Sequence, residues 1–80
     1  MEQKEFVTPN LYLSAAIATL TGLYPSFKVK NGKTLFIFPA NDVIYMAMSD
    51  YNNGALGNLY EHDEMIKRLR AEMIIRRDQK

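Results

Sequence analysis

The chain has no cysteine, no tryptophan and a single histidine, with only four glycines and three prolines in 80 residues. Without thiols there is no disulfide framework, no thiolate nucleophile and no cysteine-based zinc site. A small protein that forgoes disulfides is expected in a reducing compartment, here the cytoplasm. The lone His62 has no second histidine and no cysteine with which to build a zinc site or a nucleophile–base pair. An excess of charge of one sign is missing too. Lys and Arg number 10 against 9 Asp and Glu, a formal net charge of +1, which excludes a histone-like protein that neutralises many phosphates. Long apolar runs are also lacking. The longest, Leu11 to Leu23, follows acidic residues and is interrupted by Ser14, Thr19 and Thr21, so neither an export signal nor a membrane span is expected.

What is present, 48% apolar and 24% charged residues, suits one compact globular domain over 1–80. A chain of this size exposes roughly 13,000 Å² when unfolded and keeps about 5,000 Å² as a compact monomer. Burial of the apolar part then contributes on the order of 120 kcal/mol. Ordering the chain costs on the order of 120 kcal/mol as well, so the monomer sits near break-even and self-association or a partner is expected.

The first helix is expected from Pro9 to about Thr21, with Thr8 as N-cap, Pro9 at the first helical position and Val7 stapled onto Tyr12. Gly22 is placed to supply a left-handed C-terminal residue, and Pro25 forbids continuation. The clearest local signal follows. Phe27 to Lys30 and Lys33 to Phe38 flank Asn31-Gly32, the preferred two-residue hairpin turn, because both central residues must take positive φ. That turn pairs Lys30 with Lys33, Val29 with Thr34, Lys28 with Leu35 and Phe27 with Phe36. Alternation then puts Phe27, Val29, Thr34, Phe36 and Phe38 on a core face, with Lys28, Lys30, Lys33, Leu35 and Ile37 opposite. Two strands make a marginal sheet, so an extension is expected, either by the segment around Glu5 to Val7 or by a second protomer pairing at the edge.

Asn41 is the expected N-cap of a second helix, Asp42 to about Tyr51, whose apolar stripe is Val43, Ile44, Ala47, Met48 and Tyr51. Asn52-Asn53-Gly54 breaks it. Asn58, with Glu61 three positions on, opens a third helix that reaches Ile75 or beyond. The expected fold class is α+β: a helix, a two-stranded antiparallel hairpin with its extension, then two helices.

Several constellations carry a functional and a plain structural reading. The bases Lys67, Arg68 and Arg76 each follow an acid by four residues (Asp63, Glu64 and Glu72), which favours a self-neutralised helix face over a nucleic-acid surface. Arg70 and Arg77 have no such partner and become candidate anion contacts. Lys28, Lys30 and Lys33 invite a single-strand platform, but their neighbouring phenylalanines project to the other face, so rings and cations do not meet one strand. Lysines on an exposed strand also guard against edge-to-edge aggregation. The third helix repeats Leu59, His62, Ile66, Leu69 and Met73 at three–four spacing, a short seam that fits the chain's own core or a partner helix. The expected interface residues are therefore Leu35, Ile37, Ile66, Leu69 and Met73. His62 stands beside Glu61 and Asp63 on a helix, where sequence neighbours point apart, so no catalytic site, metal or cofactor is expected.

Phe6-Val7-Thr8-Pro9-Asn10-Leu11-Tyr12-Leu13-Ser14-Ala15-Ala16, the hairpin ending Phe36-Ile37-Phe38, Tyr51-Asn52-Asn53-Gly54, Tyr60 and the Lys67-Arg68-Leu69 helix occur in that order. This order resembles a small domain-of-unknown-function family of bacteria, archaea, phages and mobile elements, over about residues 5–73. Asn10 stands where the family usually has Asp, and Ser14 where it has Ala. The resemblance implies a compact α+β module and a phage or mobile-element setting, and carries no functional residues. The expectation is a non-enzymatic interaction module that forms a homodimer or docks on another protein. The alternative is a nucleic-acid-binding accessory protein using Lys28, Lys30, Lys33, Arg70 and Arg77.

Overall fold

The computed structural model describes residues 4–54 and 58–78. Its elements are β1 (Glu5–Thr8), α1 (Leu11–Thr21), β2 (Ser26–Lys30), β3 (Lys33–Pro39), α2 (Asp42–Asn52) and α3 (Leu59–Asp78). The class is α+β, with three helices and a three-stranded sheet in the order β1-β3-β2. Of the two extensions expected for the hairpin, the N-terminal segment of the same chain supplies a third strand, so the sheet has three strands where the hairpin alone gave two.

The hairpin forms as its turn dictates. Asn31 at φ 54° and Gly32 at φ 77° both occupy the left-handed region, and the pairs Lys30–Lys33, Val29–Thr34, Lys28–Leu35 and Phe27–Phe36 follow. On the other side of β3, Phe6 lies opposite Phe38 and Thr8 opposite Phe36. The Ala40 N–H donates to the Lys4 carbonyl at 3.0 Å and carries this ladder one pair further. Both outer strands run antiparallel to β3, so β1 and β2 are parallel to each other, joined through α1 with β3 inserted between them. This is a split β-α-β arrangement.

The start of α1 differs from expectation, and the sheet is the reason. Thr8 is buried at the end of β1 opposite Phe36, which holds it in the ladder and delays the helix by two residues. Its Oγ1 accepts from the Asn10 N–H at 3.1 Å, and Asn10 is the N-cap, its Oδ1 accepting from the Leu13 N–H at 3.0 Å. Alternation along β1 also directs Val7 to the face away from Phe6 and Thr8, so it is not positioned to staple Tyr12. Gly22 closes α1 in the left-handed conformation at φ 76°, as expected, its N–H donating to the Ala18 carbonyl at 2.8 Å.

Ser14 to Ala18 are all buried, more than one full turn, so α1 is enclosed on every side there and packs on both α2 and α3. Small side chains allow that approach. The hydroxyls of Ser14 and Thr19 bond back to the carbonyls of Asn10 and Ala15, each at 2.8 Å, and leave no unpaired donor. Asn41 caps α2 through the Ile44 N–H at 3.0 Å, and Asn58 caps α3 through the Glu61 N–H at 3.1 Å. The core joins Ala15 and Ile17 of α1, Phe36 and Phe38 of β3, Ile44 and Ala47 of α2 and Leu69 of α3. Every helix thus meets the same face of the sheet. The Cα extents of 37 × 37 × 17 Å are those of two layers, one sheet and one tier of helices.

Candidate functional site: the open face of the sheet

The two faces of the sheet follow from the register. Inward go Phe6, Thr8, Phe27, Val29, Thr34, Phe36 and Phe38. Outward go Glu5 and Val7 of β1, Ser26, Lys28 and Lys30 of β2, and Lys33, Leu35, Ile37 and Pro39 of β3. Across the outer face Val7 stands beside Ile37, and Lys28 beside Leu35. The face therefore carries an apolar centre, Val7, Ile37 and Leu35, with three lysines at the hairpin end and Glu5 at the other. Val7 is 45% exposed, whereas Leu35 and Ile37 on the central strand are half-buried by their neighbours. A shallow depression of about 550 Å³ deepens the Glu5 end, lined by Glu5, Ser26, Ile37 and Pro39 on this face and by Lys4 and Ala40 at its rim.

Of the expected interface residues, Leu35 and Ile37 lie on this face. The three from α3 do not join them. Leu69 is wholly enclosed in the chain's own core, and Ile66 and Met73 pack against that core, so the seam is filled by α1 and the sheet. Leu59, at the seam's start, is 67% exposed. Val7 was missed as a face residue because, although the Glu5 to Val7 segment was a candidate third strand, its register on the hairpin was not set and Val7 was assigned to staple Tyr12. The signal available was the alternation Glu5-Phe6-Val7-Thr8 itself. The α2 stripe is also narrower than expected: Ile44 and Ala47 are buried, while Val43 is exposed with Tyr45 and Met46.

The candidate anion contacts do not converge either. Lys28, Lys30 and Lys33 share the outer face, whereas the exposed Arg70 lies in the helical layer, where its guanidinium donates to the Tyr12 hydroxyl at 3.3 Å. The side chain of Arg77 lies outside the described residues. Lys67 pairs with Asp63 at 3.5 Å and Glu64 at 3.7 Å, so Glu64 turns to Lys67 rather than to Arg68 as its spacing suggested. Arg76 pairs with Glu72 at 3.2 Å and sits 4.6 Å over the Phe27 ring. That ring contacts Tyr24 and Phe36 edge-on, with centroids 5.8 and 5.6 Å away. Burial, and after it the Glu72 carboxylate, raise the Tyr24 phenol above its ordinary pKa, opposed by Arg68 and Arg76.

His62 is buried while Glu61 and Asp63 on either side are exposed, so the three do not face one point. Among the described residues no group of three His, Asp or Glu side chains is close enough to hold a metal ion, and no helix is long and apolar enough to cross a membrane. No family model matches the chain, and no curated protein or solved structure matches it either.

Proposed function

We propose that this chain is a small non-enzymatic interaction module that works through the outer face of its sheet, by self-association or by docking on another protein. The observation that carries the reading is the one-sided sheet: three helices cover one face, and the other presents Val7, Leu35 and Ile37 with nothing from the described residues over them. The family resemblance adds a phage or mobile-element accessory role to the proposal.

Nucleic-acid binding through Lys28, Lys30 and Lys33 is the second reading, favoured by three cations on one face. Against it, the phenylalanine rings that would stack bases are turned into the core, with Phe36 and Phe38 fully buried. The test is solution mass by light scattering across protein concentration, at low and high salt, with and without a short mixed-sequence oligonucleotide. Association that persists at high salt, ignores the oligonucleotide and is lost in Ile37→Glu is the expected result. A monomer that gains mass with oligonucleotide at low salt alone would replace this reading with the second.

A further inference from the structure

The outer sheet face has a charge as well as an apolar centre: three lysines against one glutamate. Two such faces meeting lysine end to lysine end would oppose positive to positive, and in the opposite orientation each Glu5 answers only part of the three lysines facing it, so a more acidic occupant suits the face better than a second sheet. The occupant that fits is acidic and apolar. The chain presents such a surface on its helical side. α2 contains no Lys or Arg, and its exposed residues include Asp42, Val43, Tyr45, Met46 and Asp50. Neither Asp42 nor Asp50 enters an ion pair among the described residues, in contrast to Asp63 and Glu64 of α3, which Lys67 already occupies. Val43, Met46 and Asp50 also line a groove of about 290 Å³ against Leu20 and Thr21 of α1.

Resting on the interaction-module reading, we propose that α2 of one copy docks on the outer sheet face of another, head to tail. The dimensions agree. Asp42, Met46 and Asp50 fall on one helical stripe spanning about 12 Å, and Lys33 to Ile37 spans about 13 Å along β3. Laid along β3 with one aspartate at the Lys30–Lys33 pair, the stripe would set Met46, 66% exposed, over Leu35 beside Lys28, and the second aspartate over Ile37. The face of three strands, of four, five and seven residues, covers on the order of 250 Å², well below the roughly 800 Å² per partner of a standard interface. The association is accordingly weak and concentration-dependent. Because the two surfaces differ, each copy keeps one of each, and the assembly grows as a ring or an open filament rather than stopping at a dimer.

The experiment uses two full-length variants, Lys28→Glu/Lys30→Glu/Lys33→Glu and Asp42→Lys/Asp50→Lys, with light scattering over a concentration series and circular dichroism to check folding. The wild-type chain is expected to pass beyond dimer mass as concentration rises, with the association weakened but not abolished at high salt, where the charge pairs are screened and the apolar contact remains. Each variant alone is expected to weaken association roughly tenfold or more, and an equimolar mixture to restore it, since the acidic sheet of one variant then meets the basic helix of the other. Restoration by mixing also shows that neither variant failed merely by misfolding. If the Asp42→Lys/Asp50→Lys variant associates like wild type, α2 is not the occupant; this overturns the head-to-tail arrangement while leaving the interaction face intact. A mixture that stays monomeric overturns it as well. A wild-type chain that is monomeric throughout, with Ile37→Glu unchanged, removes both this arrangement and self-association.

Discussion

Alternate residues of β3 live in opposite surroundings. Thr34, Phe36 and Phe38 are enclosed at 2%, 0% and 1% exposure, while Leu35 and Ile37 between them look outward onto a face that no helix among the described residues covers. Both sets are apolar or nearly so, and only one is needed to hold the chain together. The difference separates what folds this protein from what it has left over for contact. A strand whose outer residues served stability alone would carry polar side chains there, as one-sided antiparallel sheets commonly do.

The largest way to test this contrast is Phe36→Ala, which opens a cavity between α1, α2 and the sheet. It is expected to cost about 3–5 kcal/mol, against a total stability of about 4–12 kcal/mol for a domain of this length. Urea titration followed by circular dichroism should show the unfolding midpoint falling by a large fraction of its wild-type value. Thr34→Val sharpens the contrast from the other direction. The Thr34 hydroxyl is buried without a hydrogen-bond partner, so replacing it with a methyl group of the same shape is expected to stabilise by about 1 kcal/mol. An unchanged or lower urea midpoint would show that a water satisfies it. On the outer face, Ile37→Thr is expected to change monomer stability by less than about 1 kcal/mol while weakening self-association, a split that melting and light scattering resolve on the same samples.

The smallest effect concerns the aromatic edge of the inner face. Tyr24 packs on Phe27, and its raised pKa means that the folded state holds the phenolic proton more tightly than the unfolded state does. The stability this contributes is fully present below the ordinary value of 10.0 and is lost as pH rises through the higher folded value. Tyr24→Phe is expected to flatten the alkaline fall in Tm and leave the neutral region nearly unaltered. A wild-type alkaline profile in the variant would assign that fall to other groups.

The parts of the fold that were legible in the sequence are those set by neighbours in the chain. Asn31-Gly32 dictated its turn and thereby the register of β2 on β3, and Asn41, Asn58 and Gly22 marked helix ends by local hydrogen bonding and φ preference. Where two local readings competed, tertiary pairing decided. Thr8-Pro9 is a good helix opening by itself, but Phe36 across the sheet claims Thr8 for a strand. The seam on α3 shows a different limit. A three–four repeat says that one helix face is covered and is silent on what covers it, and here α1, with its small residues at Ser14, Ala15, Ala16 and Ala18, comes close enough to do so. Leu35 and Ile37 were recognisable as an outward pair because alternation is a property of the strand. Val7 joined them only once β1 was placed beside β3.

The insertion of β3 between β1 and β2 also sets an order of events along the chain. β2 and β3 meet through a two-residue turn, whereas β1 must wait for a partner roughly 30 residues downstream and close a long loop to reach it. β1 is thus expected to be the last strand to arrive and the first to leave, and its departure would bare the inner edge of β3. Amide hydrogens of Phe6 and Thr8 should exchange with solvent well ahead of those in the hairpin, and that gap measures how often the molecule exposes a second, aggregation-prone edge.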